Sequence, residues 1–399
     1  MVTTFEALGV APDLVAALAA DDITEPFAIQ TLTLADGFAG RDVCGKAKTG
    51  SGKTLAFGLP LLERIGQAGP RCPRGLVLAP TRELANQVKG VLAPLGKLRH
   101  RRVRAVYGGV SIEPQITALR KGVDVVIGTP GRLIDLMERR ELSMAEVEVL
   151  VLDEADRMAD MGFMPQVQKI LHRIEADHQT MLFSATLDGA VKQLVKRYLR
   201  DPVFHEVASR EATVEEMYHR FLYVHQMDKV KVVAAITRGS GRTLVFCRTK
   251  RGADRLVSQL RREGVRAGAI HGDLRQAARE QALADFSSGK LPVLVATDVA
   301  ARGIHVDDID VVVHYDPPDD DKAYLHRSGR TARAGETGVA VTLMLYNQEN
   351  DVRVIQKRLQ LEEPIVEIFS NDPRLVDLRA FGSDDDRAED GLDAEESVA

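Results

Sequence analysis

The sequence predicts an α/β protein with two lobes of similar size, each built on a parallel sheet. Short apolar, β-rich runs alternate with helical patterns over residues 55–186 and again over 221–343. Apolar strands separated by helices are typical of parallel sheets covered on both faces. A less apolar stretch, 208–216, interrupts the alternation and is predicted to be a linker. The predicted boundaries are therefore 1–207 for the first domain, 208–216 for the linker, 217–365 for the second domain and 366–399 for an acidic tail.

The strand candidates follow one another at intervals that leave room for a helix between them. In the first lobe they are 75–79, 103–107, 123–127, 147–152 and 180–183. In the second lobe they are 221–224, 243–247, 266–270, 293–296, 311–314 and 339–343. A further helical pattern is expected over 352–361.

Composition indicates a globular protein of a reducing compartment. Of the 399 residues, 45% are hydrophobic and 28% are charged, which is ordinary for a soluble domain. The three cysteines have neither paired nor metal-ligand spacing, which favours the cytoplasm. The sequence has no run of about 18 apolar residues and no basic-then-apolar start, so neither a membrane span nor a signal peptide is expected.

Charge is distributed unevenly along the chain. The net charge is −5, but residues 382–399 contain eight acids and one arginine, and the rest of the chain is therefore slightly basic. A near-neutral body can still bind phosphates where arginines cluster. The acidic end is predicted to be disordered and solvated.

A glycine-rich stretch, Ala47–Thr54, lies between a short apolar run and a helical pattern. Its glycines allow backbone N–H groups to surround phosphate oxygens at the positive end of a helix. Lys53 can reach the β- and γ-phosphates, and the Thr54 hydroxyl suits Mg²⁺. Ala47 stands where the general pattern has glycine. The stretch, hereafter the phosphate loop, predicts a nucleoside triphosphate site made of Ala47, Lys48, Thr49, Gly50, Ser51, Gly52, Lys53 and Thr54.

Carboxylates follow the apolar strand candidate 147–152. At the carboxyl end of a parallel strand they face the crevice where α/β sheets bind ligands. Asp153 is suited to hold Mg²⁺, and Glu154 to orient or deprotonate the water that attacks the γ-phosphate. Asp156 could pair with an arginine and brace the loop. A solvated acidic turn is the alternative, which the preceding strand and the phosphate loop disfavour.

With these motifs the chain resembles the DEAD-box ATP-dependent RNA helicases of superfamily 2, from Phe5 to about Leu345. The resemblance implies two tandem RecA-like domains joined by a short linker, with nucleotide and RNA at the cleft between them. It also implies ATP and Mg²⁺ as cofactors. Its adenine-recognition motif is matched by Pro26–Gln30, in which Gln30 would bind the adenine edge and Phe27 replaces the usual Thr or Ser. Phe5 matches an aromatic that stacks on the base, although a core aromatic is an equal alternative.

The resemblance also assigns RNA-binding and coupling residues. Backbone contacts to RNA are implied for Thr81, Arg82, Gly109, Thr129, Gly131 and Arg132 in the first lobe, and for Arg248, Thr249, Gln276, Arg279 and Thr297 in the second. Coupling between nucleotide state and closure is implied for Ser184, Thr186, Asp298, Arg302, Gly303 and His326. His305 stands where the family usually places a ribose-binding Asp, so its contact with ribose stays open.

The segment His326–Arg333 carries two arginines three residues apart, Arg330 and Arg333. We expect them to lie on one helix face and to reach the γ-phosphate as arginine fingers, which raise rates by roughly 10³–10⁵. The alternative is a solvated basic helix face. The predicted catalytic residues are therefore Lys53, Asp153, Glu154, Arg330 and Arg333.

The predicted function is that of a monomeric, RNA-stimulated ATPase that locally unwinds short RNA duplexes and remodels RNA and ribonucleoprotein. RNA binding is expected to be independent of sequence, and protein partners could select the target. Two alternatives are an ATP-gated RNA clamp and a DNA-translocating motor. Ribosome assembly, RNA decay and cold adaptation are all compatible with the sequence.

Overall fold

The computed structural model describes residues 3–47, 50–207, 217–301, 309–331 and 338–379. The chain divides into two compact units, 1–209 and 210–399. The division falls within the predicted linker, 208–216. That segment and the acidic residues beyond 379 lie outside the described residues.

The first unit alternates helices and strands from its beginning. Its strands are β1 Val43–Lys46, β2 Gly75–Leu78, β3 Val103–Val106, β4 Val125–Gly128, β5 Val149–Asp153, β6 Gln179–Ser184 and β7 Val203–Glu206. Its helices are α1 Pro12–Ala20, α2 Ala28–Phe38, α3 Lys53–Arg64, α4 Arg82–Leu98, α5 Glu113–Arg120, α6 Pro130–Glu138, α7 Ala155–Asp160, α8 Met164–Leu171 and α9 Gly189–Tyr198.

The seven strands of the first unit form one parallel sheet in the order β3-β4-β2-β5-β6-β1-β7. Side chains of a strand alternate between the two faces, and β5 shows this directly. Val149 and Val151 pack in one hydrophobic layer with α2, α3 and α4, whereas Leu150 and Leu152 pack in the other with α6 and α8. Because all strands run in the same direction, their carboxyl ends share one edge of the sheet.

The second unit repeats this plan. Its strands are β8 Tyr218–Tyr223, β9 Thr243–Phe246, β10 Ala267–Ile270, β11 Val293–Ala296, β12 Val311–His314, β13 Val339–Met344 and β14 Ile365–Glu367, in the parallel order β10-β11-β9-β12-β13-β8-β14. Its helices are α10 Lys229–Gly239, α11 Lys250–Arg262, α12 Gln276–Ser287, α13 Asp298–Ala301, α14 Asp321–Ser328 and α15 Glu349–Leu359. Short 3₁₀ helices lie at Tyr346–Gln348 and Pro373–Leu375.

The fold class is confirmed, and every predicted strand is present in the structure. Three strands were not among the strand candidates: β1, which coincides with the apolar run before the phosphate loop, and β7 and β14, which form the same edge of their respective sheets. Strands β7 and β14 are short and only partly buried, so neither forms a continuous apolar run. None of the helices that the structure describes is long and apolar enough to cross a bilayer.

The predicted end of the second domain at 365 is too early. Strand β14 pairs with β8, and Ile368, Leu375 and Leu378 are buried in the hydrophobic core of the second unit. The packed chain therefore continues to Arg379, the last residue described. The acidic composition begins only after this segment, so 366–379 does not belong to a tail.

Replacing Leu375 with alanine tests this boundary. The Leu375 side chain has 0% exposure, and we expect the substitution to lower the free energy of unfolding by about 2–5 kcal/mol, because it leaves a cavity. Val376 is 59% exposed and supplies the matched control, Val376→Ala, which should change stability by less than about 0.5 kcal/mol. Urea denaturation of the full chain measures both, and equal small effects would show that the segment adds nothing to the core.

Candidate functional site

The phosphate loop joins β1 to the first turn of α3. Gly50 and Gly52 have φ angles of 85° and 83°, in the left-handed region that glycine adopts without steric cost. Helix α3 begins at Lys53, directly after Gly52, so its unpaired N–H groups lie next to the loop. This is the geometry expected of an anion site. Lys48 and Thr49 lie outside the described residues.

A buried lysine and a buried carboxylate lie close together at this edge of the sheet. Lys53 begins α3, and Asp153, which is 2% exposed, ends β5. Burial raises the pKa of Asp153, and the positive charge of Lys53 opposes that rise. Among the described residues Asp153 Oδ1 has no hydrogen-bond partner. A buried carboxylate oxygen without a donor is available to a cation.

Glu154 has strained backbone and a paired side chain. Its φ and ψ of 51° and 53° place a non-glycine residue in the left-handed region, which costs of order 1–3 kcal/mol. Arg157 Nη1 donates to Glu154 Oε2 over 2.6 Å, and both side chains are almost fully buried. Sequence analysis did not identify Arg157, although its spacing of three residues on a helix is typical of ion pairs.

Asp156 braces the loop through backbone amides, and no arginine of the described residues forms the ion pair with it that was expected. Its Oδ2 accepts from the N–H groups of Ala185 and Thr186, each at 3.2 Å. In return, Ser184 Oγ accepts from the Asp156 N–H at 3.1 Å. The carboxylate run and the Ser184–Thr186 turn therefore form one hydrogen-bonded unit.

The same unit extends to the phosphate loop, since the Ala47 N–H donates to the Ser184 carbonyl at 3.0 Å. Gln30 contacts the loop from another side. Its Oε1 accepts from the Phe27 N–H at 2.8 Å, and its Nε2 donates to the Gly52 carbonyl at 2.9 Å. Gln30 is thereby held against the phosphate loop.

Phe5 is buried in the core of the first unit. Its side chain is 1% exposed and packs in the hydrophobic layer that includes Val10 and Leu14. An aromatic ring must have an accessible face to stack on a base, and this ring has none. The structure therefore favours the core alternative for Phe5.

Basic and small residues gather at the ends of β3, β4 and β2, which are neighbours in the sheet. Arg82 lies against Gly109, whose φ is 77°, so closely that a side chain on Gly109 would overlap the guanidinium. Arg132 Nη2 donates to the Val110 carbonyl at 3.2 Å, whereas its buried Nη1 has no hydrogen-bond partner among the described residues. Burial lowers the pKa of Arg132; the nearby Asp135 opposes this, and the charge of Arg82 adds to it. Two guanidiniums therefore lie near each other, and Arg132 is also paired with Asp135 at 3.8 Å.

The predicted threonine and glycine contacts occupy the same edge. Thr129 follows β4, and its N–H donates to the Val106 carbonyl at the end of β3. Beside Gly131, at the start of α6, the described residues leave open space. Thr81 Oγ1 accepts from the Leu84 N–H at 3.2 Å and caps α4. A hydroxyl that caps a helix as acceptor still has its own proton to donate to a phosphate oxygen.

The second unit repeats this arrangement after β9. Thr249 Oγ1 accepts from the Gly252 N–H at 3.0 Å and caps α11, as Thr81 caps α4. The Arg248 guanidinium lies at an exposed site and donates to Asp319 at 3.2 Å. The other three residues of this unit that were predicted to contact RNA are buried. Thr297 directly follows β11, and Gln276 and Arg279 lie in the first turn of α12.

Asp298 forms a bidentate ion pair with Arg327. Arg327 Nε and Nη2 donate to the two carboxylate oxygens at 2.6 and 2.7 Å, and Nη1 donates to the Asp316 carbonyl at 2.8 Å. The guanidinium also lies over the Phe246 ring, 5.3 Å from its centroid. Arg327 thus fastens α14 to the ends of three neighbouring strands. Sequence analysis assigned no role to Arg327, because the nearby Arg330 and Arg333 were the arginines that matched the expected arginine fingers.

The prediction that Arg330 and Arg333 share a helix face is wrong at Arg330. Helix α14 ends at Ser328, and Gly329 follows it. Glycine is a poor helix former. The Thr331 hydroxyl donates to the Ile309 and Asp310 carbonyls, and these bonds hold the chain after Gly329 in a non-helical conformation. His326 is exposed on α14, and its carbonyl accepts from Arg330 Nε at 3.4 Å. The predicted residues Arg302, Gly303, His305 and Arg333 lie outside the described residues.

Comparison with known proteins identifies two matching domains. The DEAD/DEAH box helicase domain matches residues 27–194, and the helicase conserved C-terminal domain matches 226–335. The chain is 41% identical over 359 residues to the DEAD-box ATP-dependent RNA helicase CshA of Bacillus licheniformis, covering 90% of this chain and 74% of that protein. The CshA of Bacillus subtilis is 40% identical, with coverage of 90% and 72%.

Solved structures show the same relationship. Saccharomyces cerevisiae Dbp5 bound to RNA and ADP BeF3 is similar with a TM-score of 0.76 and 31% identity, covering 92% of this chain and 96% of that chain. A DEAD box protein from the hyperthermophile Methanococcus jannaschii is 34% identical, with a TM-score of 0.51 and coverage of 92% and 99%. The similarity therefore extends over both units of the chain.

Arg157→Ala tests the buried ion pair at Glu154. Removing one partner leaves a buried carboxylate without its cation, and we expect the free energy of unfolding to fall by about 3–5 kcal/mol. Arg139→Ala removes an exposed pair with Asp135 on a helix and should cost less than about 1 kcal/mol. Urea denaturation compares the two variants. A cost for Arg157→Ala no larger than that for Arg139→Ala would contradict the structural importance of the pair.

Proposed function

The chain belongs to the DEAD-box family of ATP-dependent RNA helicases, and we propose how its own residues carry out that activity. The reaction is RNA-dependent hydrolysis of ATP to ADP and phosphate, coupled to local unwinding of short RNA duplexes and to RNA remodelling. The observation that best supports the assignment of roles is the buried Asp153–Glu154 pair beside Lys53. It combines a cation site and a base next to a phosphate-binding loop.

ATP binds at the phosphate loop in this proposal. The N–H groups of the loop and of the first turn of α3 surround the phosphates, and Lys53 neutralises charge on the β- and γ-phosphates. The amide of Gln30 recognises the adenine edge. Its hydrogen bonds to Phe27 and Gly52 support this role, because they hold the amide in one orientation beside the phosphate loop.

The residues present fit a divalent cation. Asp153 offers a buried carboxylate oxygen to which no described residue donates a hydrogen bond, and Thr54 at the start of α3 offers a hydroxyl. Among the described residues no group of three or more acidic, His or Cys side chains forms a cage. Such a sparse donor set is typical of Mg²⁺, which retains waters and binds substrate phosphates. Asp153 and Thr54 would hold the ion, whose charge would offset the negative charge that develops on the phosphates.

Glu154 orients and deprotonates the attacking water. A general base contributes roughly 10²–10⁴ in rate when it is held within hydrogen-bonding distance of the water. The ion pair with Arg157 and the left-handed backbone restrict the Glu154 carboxylate. Arg157 is therefore a positioning residue, while Asp156 links this site to the coupling turn, Ser184–Thr186.

RNA binds along the carboxyl edges of both sheets through its phosphates and riboses. Arg82 and Arg132 supply charge, and the Thr81 and Thr249 hydroxyls supply donors in equivalent positions of the two units. Backbone contacts carry no base information, so binding is independent of sequence, and contacts to 2′-hydroxyls favour RNA over DNA. The other proposed contacts are Gly109, Thr129, Gly131, Arg248, Gln276, Arg279 and Thr297.

The second unit completes the ATPase site when ATP and RNA are both bound. Arg330 and Arg333 act there as arginine fingers on the γ-phosphate, which accounts for a rate that depends on RNA. The ion pair between Asp298 and Arg327 supports this role, because it fixes the helix that precedes Arg330. Arg302, Gly303 and His326 belong to the same coupling region.

We further propose that the protein is a cytoplasmic monomer whose targets are selected by protein partners. The free cysteines Cys44, Cys72 and Cys247 support a reducing compartment. A body without a strong net charge binds RNA only where its arginines gather, so additional affinity for particular targets would come from partners.

Glu154→Gln tests the catalytic assignment. The substitution keeps the shape and removes the base, so ATP and RNA binding should persist while hydrolysis falls by roughly 10²–10⁴. Glu138→Gln, at an exposed pair with Lys169, is the control and should leave turnover unchanged. Phosphate release and RNA retention are measured on both variants. Rapid turnover by the Glu154 variant would contradict the role of this residue.

Strand displacement distinguishes a helicase from an ATP-gated clamp that carries the same motifs. The wild-type chain should release a fluorescent strand from a short RNA duplex in the presence of ATP. A protein that binds RNA with ATP yet releases no strand would be a clamp. Activation of the ATPase by DNA as strongly as by RNA would indicate a DNA motor.

A further inference from the structure

Helix α11 of the second unit carries a line of arginines on its outer face. Arg251, Arg255 and Arg262 are exposed, and their spacing of four and seven residues places them on one side of the helix. The opposite side of α11 packs in the hydrophobic core through Leu256 and Leu260. Among the described residues, none forms an ion pair or a hydrogen bond with the side chains of these three arginines, which are hereafter the arginine stripe.

The stripe belongs to a strongly basic part of an acidic chain. Residues 248–266 contain seven lysines and arginines and only two acids, whereas the whole chain has a net charge of −5. One of the two acids, Asp254, is already hydrogen-bonded to His271 at 2.9 Å. Positive side chains that lie close together and lack partners repel one another and attract a polyanion. The stripe is therefore a surface suited to a ligand with several negative charges.

The packed part of the chain ends next to the C-terminal end of α11. The backbone of Val376 lies against Gly239, the last residue of α10, so closely that a side chain on this glycine would overlap it. Arg238, the preceding residue, donates through Nη2 to the Glu263 carbonyl at 3.0 Å. Glu263 caps α11 directly after the last arginine of the stripe. These contacts place the last described residues beside that end of the stripe.

The chain that continues from this point is acidic. Residues 382–399, hereafter the acidic segment, contain eight acids and one arginine. Such a segment spans up to about 60 Å when it is extended. The first and last arginines of the stripe are eleven residues apart on a helix, which corresponds to about 16 Å. The acidic segment therefore begins near one end of the stripe and is long enough to follow it to the other.

We propose that the acidic segment binds to the arginine stripe of its own chain. Its carboxylates supply the negative charge that no described residue supplies to the three guanidiniums. A solvated acidic end, as predicted from the sequence, is the alternative. Helix α11 begins directly after Thr249, a proposed RNA contact, so the bound segment places negative charge beside the RNA path. Weaker RNA binding is the consequence, and this consequence alone rests on the proposed function.

Disulfide trapping tests the contact in the full-length chain. Ser258 is exposed within the stripe, and Ala388 lies among the acids of the segment. Cys72→Ser removes the native cysteine that is partly exposed, while the other two cysteines are buried. In that background, Ser258→Cys combined with Ala388→Cys should form a disulfide under mild oxidation.

Ser288→Cys combined with Ala388→Cys is the matched control. Ser288 is also exposed, but it follows α12, whose Phe286 packs in a different hydrophobic layer from α11. Nearby arginines lower the pKa of a thiol, so the reaction of each cysteine with a neutral disulfide reagent is used to correct for thiol reactivity. Melting temperatures check that the variants are folded.

The pair with Ser258→Cys should form roughly ten times faster than the control pair at low salt, as expected for several exposed ion pairs within one chain. High salt should remove this difference, because it screens exposed charges. Changing the eight acids to their amides should also remove it, as should Arg255→Gln combined with Arg262→Gln. Equal rates for the two pairs at low salt would overturn the proposal and leave the segment solvated.

RNA affinity separates this inference from the proposed function. Changing the eight acids to amides should strengthen the binding of single-stranded RNA by roughly threefold to tenfold, because the competing negative charge is lost. Equal trapping rates, together with a loss of RNA affinity in the Arg255→Gln and Arg262→Gln variant, would overturn the proposal and assign the stripe to RNA. A chain that traps the Ser258 pair preferentially yet binds no RNA would overturn the proposed function and support the contact.

Discussion

The hydrogen bonds that join Ala47, Ser184 and Asp156 are the constraint on which the rest of the first unit's site depends. They connect the ends of β1, β6 and β5, three neighbouring strands, at one edge of the sheet. The phosphate loop, the coupling turn and the carboxylates therefore cannot move independently. The Ala47 N–H joins the phosphate loop to the Ser184–Thr186 turn, and the Asp156 carboxylate joins two amides of that turn to the carboxylate run.

Nearby positive charges explain why two carboxylates are tolerated in the buried region at the carboxyl end of β5. Asp153 and Glu154 are almost fully removed from water, and each is compensated locally, by Lys53 and by Arg157. The Asp153 oxygen that has no partner within the described part of the chain and the left-handed backbone of Glu154 both cost stability, which is consistent with a functional role. In the second unit, a buried arginine also compensates a carboxylate near the ends of the strands. Arg327 forms a bidentate ion pair with Asp298, which holds helix α14 in place.

Most of the fold could be predicted from the sequence, because buried parallel strands are short, apolar and evenly spaced. Strands β7 and β14 escaped prediction since they are short, only partly buried and without a continuous apolar run. Within the site, residues of the motifs were found readily, whereas Arg157 and Arg327 were not, because their importance comes from the carboxylates they meet in three dimensions. The stacking role predicted for Phe5 and the helical position predicted for Arg330 were wrong for the same reason, since burial and the end of a helix depend on tertiary contacts.

The central claim is that hydrolysis requires two units, each catalytically incomplete, and that RNA is needed to bring them into a productive arrangement. The most direct test is the rate of ATP hydrolysis by the purified full chain, measured with and without single-stranded RNA at saturating ATP. We predict slow turnover alone and a rate that rises steeply with RNA until it saturates. Equal rates in the presence and absence of RNA would contradict the claim.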